Sequence, residues 1–372
     1  MRKKPLKDVE KGNTGKLGEK ENKKQAVIKS IRLSNFRNYD QREFFFEDGI
    51  NVVVGGNGRG KTNLLEALYF MLSGSSMRTA DAKEMVRKGE ENALVRGTIN
   101  QTPTGDPVNV KLTRVISSQG GVKDRGTKEY LTAVSFQPDD IWMLKGGPEI
   151  RRRYLDEVVS CCKKGYRETL REYQRVLKQR NEALKEARKK GGYAGYVKSW
   201  DTLLLRAGAE IVKERAEYVH EMQAEMADIG KRWEIGELGL RYYTTMGSLP
   251  LNEDALSERL EKIREAEIRR GSTLMGPHRD EMVINLGGRS ARRECFQGEQ
   301  KLVAILWRLA QGSLVIRKTG RRVLLLMDDC LSELDGVNRR KVIGEIAKWE
   351  QAVLTTTDGM DELEGLKTIF LE

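Results

Sequence analysis

The sequence predicts an α/β protein in which both ends of the chain build one body and the middle of the chain is an inserted helical arm. Three observations predict this fold class. A β-branched run leads into a glycine-rich segment at residues 52–62, and a second apolar run at 323–327 ends in two aspartates. Between them, residues 155–233 place apolar side chains at three- and four-residue steps, the spacing of amphipathic helices. Apolar runs of this kind are typical of buried parallel strands, so we assign the two ends to one sheet.

The start of the chain is predicted to be a tail followed by strands. Residues 1–25 are rich in Lys, Glu, Gly and Asn and have few apolar side chains, so they cannot offset the entropy of ordering. We expect a disordered basic tail there. Alternating apolar and polar residues predict strands at 27–33 and 42–46, and a turn at Asp48-Gly49 leads into the next strand.

The glycine-rich segment has the spacing of a phosphate-binding loop. Gly55 is followed by four residues and then by Gly60-Lys61-Thr62, with an apolar strand before and an amphipathic helical pattern after. Glycines let backbone N–H groups point at phosphate oxygens, and the helix start adds its positive end. A lysine reaches the β- and γ-phosphates, and a hydroxyl binds Mg²⁺. The residues predicted to bind nucleotide here are Gly55, Gly56, Asn57, Gly58, Arg59, Gly60, Lys61 and Thr62.

The middle of the chain is predicted to pass from strands to long helices. Before the arm, we predict a helix at 81–88, strands at 93–99 and 108–116, and a loop at 117–128. The arm itself is predicted as a pair of antiparallel helices: one apolar stripe spans 155–177, a glycine break falls at 191–192, and a second stripe spans 200–233. Beyond the arm, the pattern predicts strands at 238–244 and 281–286 and a helix at 253–269.

The acidic pair Asp328-Asp329 supplies the second half of a nucleotide site. An apolar run of this length predicts a central parallel strand, and ligands bind at the carboxyl ends of such strands. We expect Asp328 to hold Mg²⁺ together with Thr62, and Asp329 to accept a proton from the attacking water as the catalytic base. An acidic pair alone also fits a strand-end turn, so the assignment depends on its pairing with the phosphate-binding loop.

The charge of the chain favours a polyanionic partner. The formal net charge is +12 and the pI is near 9.4, which suits nucleic acid, although a basic surface also serves solubility alone. Candidate phosphate contacts are the basic residues between the loop and the arm: Arg78, Lys83, Arg87 and Lys88. No apolar run approaches the roughly 20 residues of a membrane helix, so we expect a cytoplasmic protein.

Several local strings resemble one family. They run in order at 28–39, 58–67, 145–156, 276–280 and 328–335. The separation of the two nucleotide-site halves by a helical insertion resembles the SMC-type branch of ABC ATPases, and the strings are similar to those of the RecF family of bacterial recombination mediators. The resemblance implies an ABC-type ATPase head, a P-loop NTPase fold, formed by residues 26–150 and 271–372, with 151–270 as the arm.

The resemblance also implies an activity and partners. It implies binding of ATP with Mg²⁺, a weak DNA-stimulated ATPase, and an ATP-dependent homodimer in which the signature motif of one subunit meets the nucleotide of the other. It implies binding to double-stranded DNA or to single-strand/double-strand junctions, with RecO and RecR, to assist RecA loading at gaps. The corresponding signature residues are Phe296, Gln297, Gly298, Glu299 and Gln300, and the D-loop falls at 332–335.

The chain departs from the family pattern at two places. Phe296 stands where the family usually has Ser, so one hydroxyl contact to the γ-phosphate is missing. The string 355–357 is Thr-Thr-Thr where many ABC proteins carry a histidine switch, and we expect slow hydrolysis. The alternative reading is therefore a catalytically weakened RecF-like scaffold that binds DNA or protein. Gln137 stands where a Q-loop glutamine could sense Mg²⁺ and water, although a plain loop amide fits equally well. His278 lies in a family string, and we assign it no chemical step.

Overall fold

The fold combines a parallel sheet, an antiparallel sheet and a small third sheet with helices that cover them. The computed structural model describes residues 25–102, 107–126, 131–190, 195–357 and 361–371. The tail predicted at 1–25 lies outside the described residues apart from residue 25, and so does the predicted glycine break at 191–192. Among the helices of the described segments, none is both long enough and apolar enough to cross a membrane.

The regular elements have the following bounds. The strands are β1 (Gln25–Phe36), β2 (Tyr39–Phe45), β3 (Gly49–Gly55), β4 (Asn92–Thr102), β5 (Val108–Ser117), β6 (Val122–Arg125), β7 (Leu131–Phe136), β8 (Leu238–Tyr243), β9 (Glu281–Leu286), β10 (Arg289–Ser290), β11 (Arg322–Met327), β12 (Gln351–Thr356) and β13 (Lys367–Leu371). The α-helices are α1 (Lys61–Ser73), α2 (Trp142–Lys145), α3 (Pro148–Cys162), α4 (Tyr166–Lys189), α5 (Gly195–Lys198), α6 (Asp201–Trp233), α7 (Glu253–Arg270), α8 (Gln297–Thr319) and α9 (Gly336–Ile346).

The parallel sheet joins the two ends of the chain, as predicted. Its strand order is β13-β3-β12-β11-β7, and every neighbouring pair is parallel. The loops that follow β3, β7, β11 and β12 therefore leave the sheet at one edge, where α/β proteins bind ligands. β12 lies between the strand before the glycine-rich loop and the strand before the acidic pair. This order places the two predicted halves of the nucleotide site within one strand of each other.

Each face of the parallel sheet has its own core. On β11, Leu325 and Met327 belong to the core that includes side chains of α3, α6 and α8. Leu324 and Leu326 belong to the other core, with α1 and the antiparallel sheet β2-β1-β4-β5-β6. Alternation follows from the two-residue repeat of a strand, and burial of both faces explains the continuous apolar run in the sequence. Each fully buried leucine contributes about 1.5–3 kcal/mol relative to exposure.

Two predictions around the antiparallel sheet were wrong. The helix predicted at 81–88 is only a 3₁₀ turn at Ala82–Met85, because the backbone after it bonds to the end of β1 instead: Arg87 N donates to Asn35 O at 2.8 Å. The loop predicted at 117–128 contains β6, which pairs with β5. All four β6 residues are exposed, so no alternation of burial marks this strand in the sequence.

The arm contains the predicted long helices with one correction. The apolar stripe at 155–177 is not one helix, because the chain breaks between α3 and α4, and Gly165 takes φ 88° at the start of α4. The second stripe forms α6, as predicted. α6 packs against α4 on one side, and its residues Ile211, Met222 and Met226 share a core with α8. The arm is thus anchored to the body along α6.

Candidate nucleotide-binding site

The glycine-rich loop connects β3 to α1. Gly60 has φ 102°, and a Cβ there would lie 2.7 Å from Asn38 Nδ2 and 2.8 Å from Tyr39 Oη, so only glycine fits. Tyr39 Oη donates to Gly60 O at 3.1 Å and holds the loop from the β1–β2 turn. No side chain caps the start of α1. Its first N–H groups are therefore available to an anion.

Lys61 lies on the inner side of this loop. Its side chain is almost buried, and Nζ donates to Gly55 O at 2.6 Å and to Gly56 O at 2.9 Å. Both acceptors are backbone carbonyls of the loop, and no carboxylate among the described residues forms an ion pair with this ammonium. An ammonium held this way keeps its charge available to a phosphate group.

The loop and the acidic pair meet through Thr62 and Asp328. Thr62 Oγ1 donates to Asp328 Oδ2 at 2.7 Å, across 266 positions of the sequence. Thr355 Oγ1, at the end of β12, donates to Asp328 Oδ1 at 2.6 Å. A hydroxyl and a carboxylate are hard oxygen ligands, so this donor set fits Mg²⁺. No cluster of three or more His, Cys, Asp or Glu that could hold a metal is found within the described part of the chain.

Asp329 is held by its backbone. Its N–H donates to Thr355 Oγ1 at 3.0 Å, and its φ of 45° lies in the left-handed region. The side chain is half-buried, and within the described ranges its carboxylate oxygens take part in no hydrogen bond. A carboxylate that is fixed in position but has unused oxygens is suited to accept a proton.

The signature residues form the start of α8, apart from the predicted loop. Phe296 is the N-cap and is 79% exposed. Its N–H donates to Glu299 Oε2 at 2.8 Å, and a hydrogen bond from Arg289 lowers the pKa of Glu299 below its usual value. Gln300 is buried and donates to the backbone carbonyl of Ala291 at 2.9 Å. No hydrogen bond or ion pair within the described segments joins these residues to the loop at 55–62.

Two supporting contacts were missed in the sequence. Arg37 forms a bidentate ion pair with Glu66, at 2.8 and 2.7 Å, and so braces α1 from the β1–β2 turn. Lys301, in the second turn of α8, donates to Ser332 Oγ at 2.9 Å and to Asp329 O at 3.3 Å. Burial lowers the pKa of Lys301 below its usual value. The first pair lies within family strings, but charge and spacing alone did not show that its members meet.

Most of the basic residues proposed as DNA contacts have partners in the fold. Lys83 pairs with Asp81 at 3.0 Å, Arg87 pairs with Asp40 at 3.1 Å, and Arg78 lies 3.8 Å from a Glu66 oxygen. Lys88 is exposed. These ion pairs reduce the charge that the group offers to a phosphate backbone.

A large cleft separates the body from the arm and carries a different set of cations. Its volume is about 1140 Å³, and its walls include residues of α1, α3, α4 and the loop after β7. Arg153, Arg167 and Arg171 line it and are exposed. None of the three forms an ion pair with a carboxylate in the part of the chain that the structure describes. The cleft therefore presents cations whose charge is not neutralised by the fold.

Gln137 and His278 also border this cleft. Gln137 Nε2 donates to Met77 O at 3.3 Å. His278 Nδ1 lies 2.6 Å from Tyr173 Oη, and Nε2 lies 3.1 Å from Thr273 O. Because a carbonyl only accepts, Nε2 carries the proton and Nδ1 accepts from the tyrosine. Burial lowers the pKa of His278 to about 4, so the imidazole is neutral and both nitrogens are committed to the fold.

Comparison with known proteins identifies the family. The sequence model described as RecF/RecN/SMC N terminal domain matches residues 27–360. The DNA replication and repair protein RecF of Bacillus subtilis (strain 168) is 33% identical over 353 residues, covering 90% of this chain and 94% of that protein. RecF of Agathobacter rectalis is 32% identical over 344 residues, covering 90% and 93%.

Solved structures agree with the sequence comparison. The recombination mediator protein RecF-ATPrS in RecFOR pathway matches with a TM-score of 0.82 at 28% identity, covering 93% of this chain and 96% of that one. The corresponding RecF-ATP structure matches with a TM-score of 0.79 at 29% identity, covering 90% and 93%. The predicted ABC-type ATPase head with an inserted helical arm is thus confirmed as the fold class. By sequence and by fold, this chain belongs to the RecF family of DNA replication and repair proteins.

Proposed function

We propose that this protein is an ATP-switched DNA-binding protein of recombinational repair and replication maintenance. In this proposal it binds ATP with Mg²⁺, closes as a homodimer around two nucleotides, and hydrolyses ATP slowly. The closed form binds double-stranded DNA or its junction with a single strand. It assists RecA loading at gaps together with RecO and RecR, as the RecFOR pathway named for the related structures suggests.

The observation that carries the proposal is the contact between Thr62 and Asp328. The two residues come from opposite ends of the chain, yet their side chains meet at 2.7 Å at the ligand-binding edge of the parallel sheet. Lys61 lies beside them with its charge available. One of the two similar RecF structures is named with ATP and the other with ATPrS, which supports the same choice of ligand for this chain.

Each residue of the edge has a role in this proposal. The N–H groups at the start of α1 and the Lys61 ammonium bind the phosphates. Thr62 and Asp328 hold Mg²⁺, which neutralises charge on the triphosphate when bound. Asp329 accepts a proton from the attacking water. The start of α8 of a second copy, at Gly298, offers N–H groups to the γ-phosphate.

Replacement of Lys61 tests the nucleotide site. Lys61→Ala removes a charge-assisted contact of about 1.5–3 kcal/mol, so ATP affinity should fall by about tenfold to a hundredfold. The matched control is Lys29→Ala, because that lysine pairs with Asp48, which directly precedes β3 at the end of the strand opposite to the loop. Titration with a fluorescent ATP analogue measures both affinities. Equal affinity in Lys61→Ala and the parent would refute the site.

For DNA, we propose the cleft between body and arm as the contact surface. Arg153, Arg167 and Arg171 line it without carboxylate partners among the described residues, whereas three of the four basic residues favoured by sequence have an acidic neighbour. Exposed arginines bind phosphate through bidentate hydrogen bonds and release counterions. Binding should therefore weaken with salt by a log–log slope of about −0.9 per phosphate contacted on duplex DNA.

Three matched variants locate this surface. The first reverses Arg153, Arg167 and Arg171 to Glu, the second reverses the group Arg78, Lys83, Arg87 and Lys88, and the third removes residues 1–25. Fluorescence anisotropy with a duplex at several salt concentrations should show the largest loss of affinity and of salt slope for the first variant. A loss of affinity confined to the tail deletion would remove support for the cleft as the DNA-contact surface.

Two observations favour a second candidate function, a RecF-like scaffold with a weakened ATP cycle. Phe296 offers no hydroxyl at the start of α8, and its own N–H is already occupied by Glu299. The string 355–357 stands where many ABC proteins carry a histidine switch, and its Thr355 hydroxyl is already bonded to Asp328 and Asp329. ATP turnover below detection together with DNA affinity that does not respond to ATP would favour the scaffold.

A further inference from the structure

The loop between β11 and α9 holds two residues in an unfavourable backbone conformation. Asp329 has φ 45° and Glu333 has φ 63°, and neither is glycine. A non-glycine residue in the left-handed region costs about 1–3 kcal/mol in sites of this kind and persists only when its surroundings hold it. Contacts that fix residues 329–333 therefore decide where the Asp329 carboxylate points.

One side chain outside the loop provides several of these contacts. Lys301 Nζ donates to Ser332 O at 2.5 Å, to Ser332 Oγ at 2.9 Å and to Asp329 O at 3.3 Å. Ser332 Oγ itself donates to Asp329 O at 3.0 Å. The Lys301 side chain is only 7% exposed, so its three donors are directed into the loop and away from solvent. Lysine is rarely buried to this extent unless its charge is satisfied.

Lys301 belongs to the helix that begins with the signature residues. It lies four residues after Gln297 on α8, and Gln297 Nε2 reaches the same loop at Glu333 Oε2, 3.3 Å away. α8 thus touches the loop from its first residue and from the start of its second turn. On the other side, Thr355 of β12 holds Asp329 N. Thr355 fixes the N–H of Asp329, whereas Lys301 holds its carbonyl. A shift of α8 would therefore move the carbonyl relative to the N–H and so reorient the carboxylate.

We propose that Lys301 is a positioning residue that transmits the position of signature helix α8 to the backbone of Asp329. The inference rests on the proposed function, in which α8 faces the nucleotide bound by the partner and Asp329 faces the nucleotide of its own subunit. Within one subunit, Lys301 then couples the helix that contacts the partner's nucleotide to the residue that faces the subunit's own nucleotide. Catalysis at one site becomes dependent on how α8 engages the other.

The test separates positioning from nucleotide binding. Lys301→Met keeps the length of the side chain but removes its donors, so we expect kcat for ATP to fall by about 10- to 100-fold, the cost of misplacing a catalytic group by about 1 Å. ATP affinity should stay within about threefold of the parent, because the loop at 55–62 is untouched. The Hill coefficient for ATP in turnover should fall towards one. Lys301→Arg keeps the charge and donors and should recover part of kcat.

Two further variants control for folding. Lys341→Met removes another lysine that donates to a backbone carbonyl, that of Trp233 on α6 and not one of residues 329–333, and should leave kcat and the Hill coefficient unchanged. Ser332→Ala removes the hydroxyl that bridges Lys301 and Asp329 and should lower kcat in the same direction but less, and it replaces Lys301→Met if that variant does not fold.

The outcomes distinguish this inference from the proposed function. Parent-like kcat and Hill coefficient in folded Lys301→Met, or in Ser332→Ala if the first is unfolded, would overturn the role of Lys301 while leaving the nucleotide site intact. A proportional loss of ATP affinity and kcat would also overturn it, since that pattern marks a binding residue. Failure of the parent to bind ATP would instead overturn the proposed function.

Discussion

The carboxyl edge of the parallel sheet and the junction between arm and body both concentrate charged residues, but the fold uses those charges differently. At the junction, Arg215 is buried, forms a bidentate pair with Asp156 at 2.8 and 2.9 Å, and donates to Pro277 O at 2.7 Å. At the sheet edge, Lys61 is held only by carbonyls of its own loop, and the Asp329 carboxylate forms no hydrogen bond in the described part of the chain.

The difference shows how structural and chemical charges can be told apart. Burial opposes the charge of Arg215, but Asp156 raises the pKa of the guanidinium above its usual value, so the pair is fully committed. Each nitrogen of the guanidinium donates at least one hydrogen bond, and removal of one partner of a buried ion pair is strongly destabilising, so this charge serves the fold and not a ligand. A charged group that is held in place but still has free hydrogen-bonding capacity is suited to bind a substrate. Both kinds occur within or beside the strings that resemble the family, so the strings alone do not separate them.

The largest expected effect lies at the junction. Arg215→Met removes the buried cation and leaves the half-buried Asp156 carboxylate without its partner, so the free energy of unfolding should fall by about 3–5 kcal/mol. Arg269→Met is the matched control, because that arginine is exposed and its one ion pair within the described residues is with an exposed Glu265, and it should change stability by less than about 0.5 kcal/mol. Urea unfolding followed by circular dichroism measures both. A change below about 1 kcal/mol in Arg215→Met would contradict the structural role.

The second effect concerns chemistry at the sheet edge. Asp329→Asn keeps the size of the side chain and removes the base, so ATP turnover should fall by roughly 10²-fold or more. ATP affinity and the urea midpoint should stay near those of the parent, since the carboxylate oxygens bond to nothing in the described structure. Steady-state kinetics and nucleotide titration provide the comparison. Equal loss of affinity and turnover would make Asp329 a metal or structural residue.

A smaller effect returns to the junction through pH. Burial lowers the pKa of His278 to about 4 from 6.5, so the unfolded chain binds more protons between these values. The contribution of His278 to the free energy of unfolding is fully present above pH 6.5. It decreases as the pH falls, by about 2 kcal/mol between pH 7 and pH 5. His278→Asn keeps an acceptor for Tyr173 but does not titrate, so the difference between parent and variant isolates this loss.

The comparison with His278→Asn is needed because the neighbouring Asp280 changes stability with pH in the opposite direction. Burial raises the pKa of Asp280, which favours the folded state as pH falls, and the cations Arg279, Arg152 and Arg180 also face the imidazole. These groups are common to both proteins and cancel in the difference. Identical pH profiles of thermal unfolding would show that His278 does not titrate with folding.

The sequence predicted the parts of the site whose signal is local. The glycine spacing and the apolar run before Asp328 follow from the needs of one loop and one buried strand, and the structure brings them together. β6 was missed because all of its residues are exposed. β7 was missed because its run of six residues leads directly into the helical region and carries no turn signal of its own. Lys301 could not be found because its partners lie about 30 positions away in a loop.

The central claim is that the sheet edge is an ATP switch whose state is read out as dimerisation. Sedimentation velocity of the full chain with Mg²⁺, with and without ATP, tests it directly when the parent is compared with Lys61→Ala and Lys29→Ala. We expect the parent and Lys29→Ala to form a dimer only with ATP, and Lys61→Ala to remain a monomer in both conditions. The same ATP-dependent dimer in Lys61→Ala and in the parent would contradict the claim.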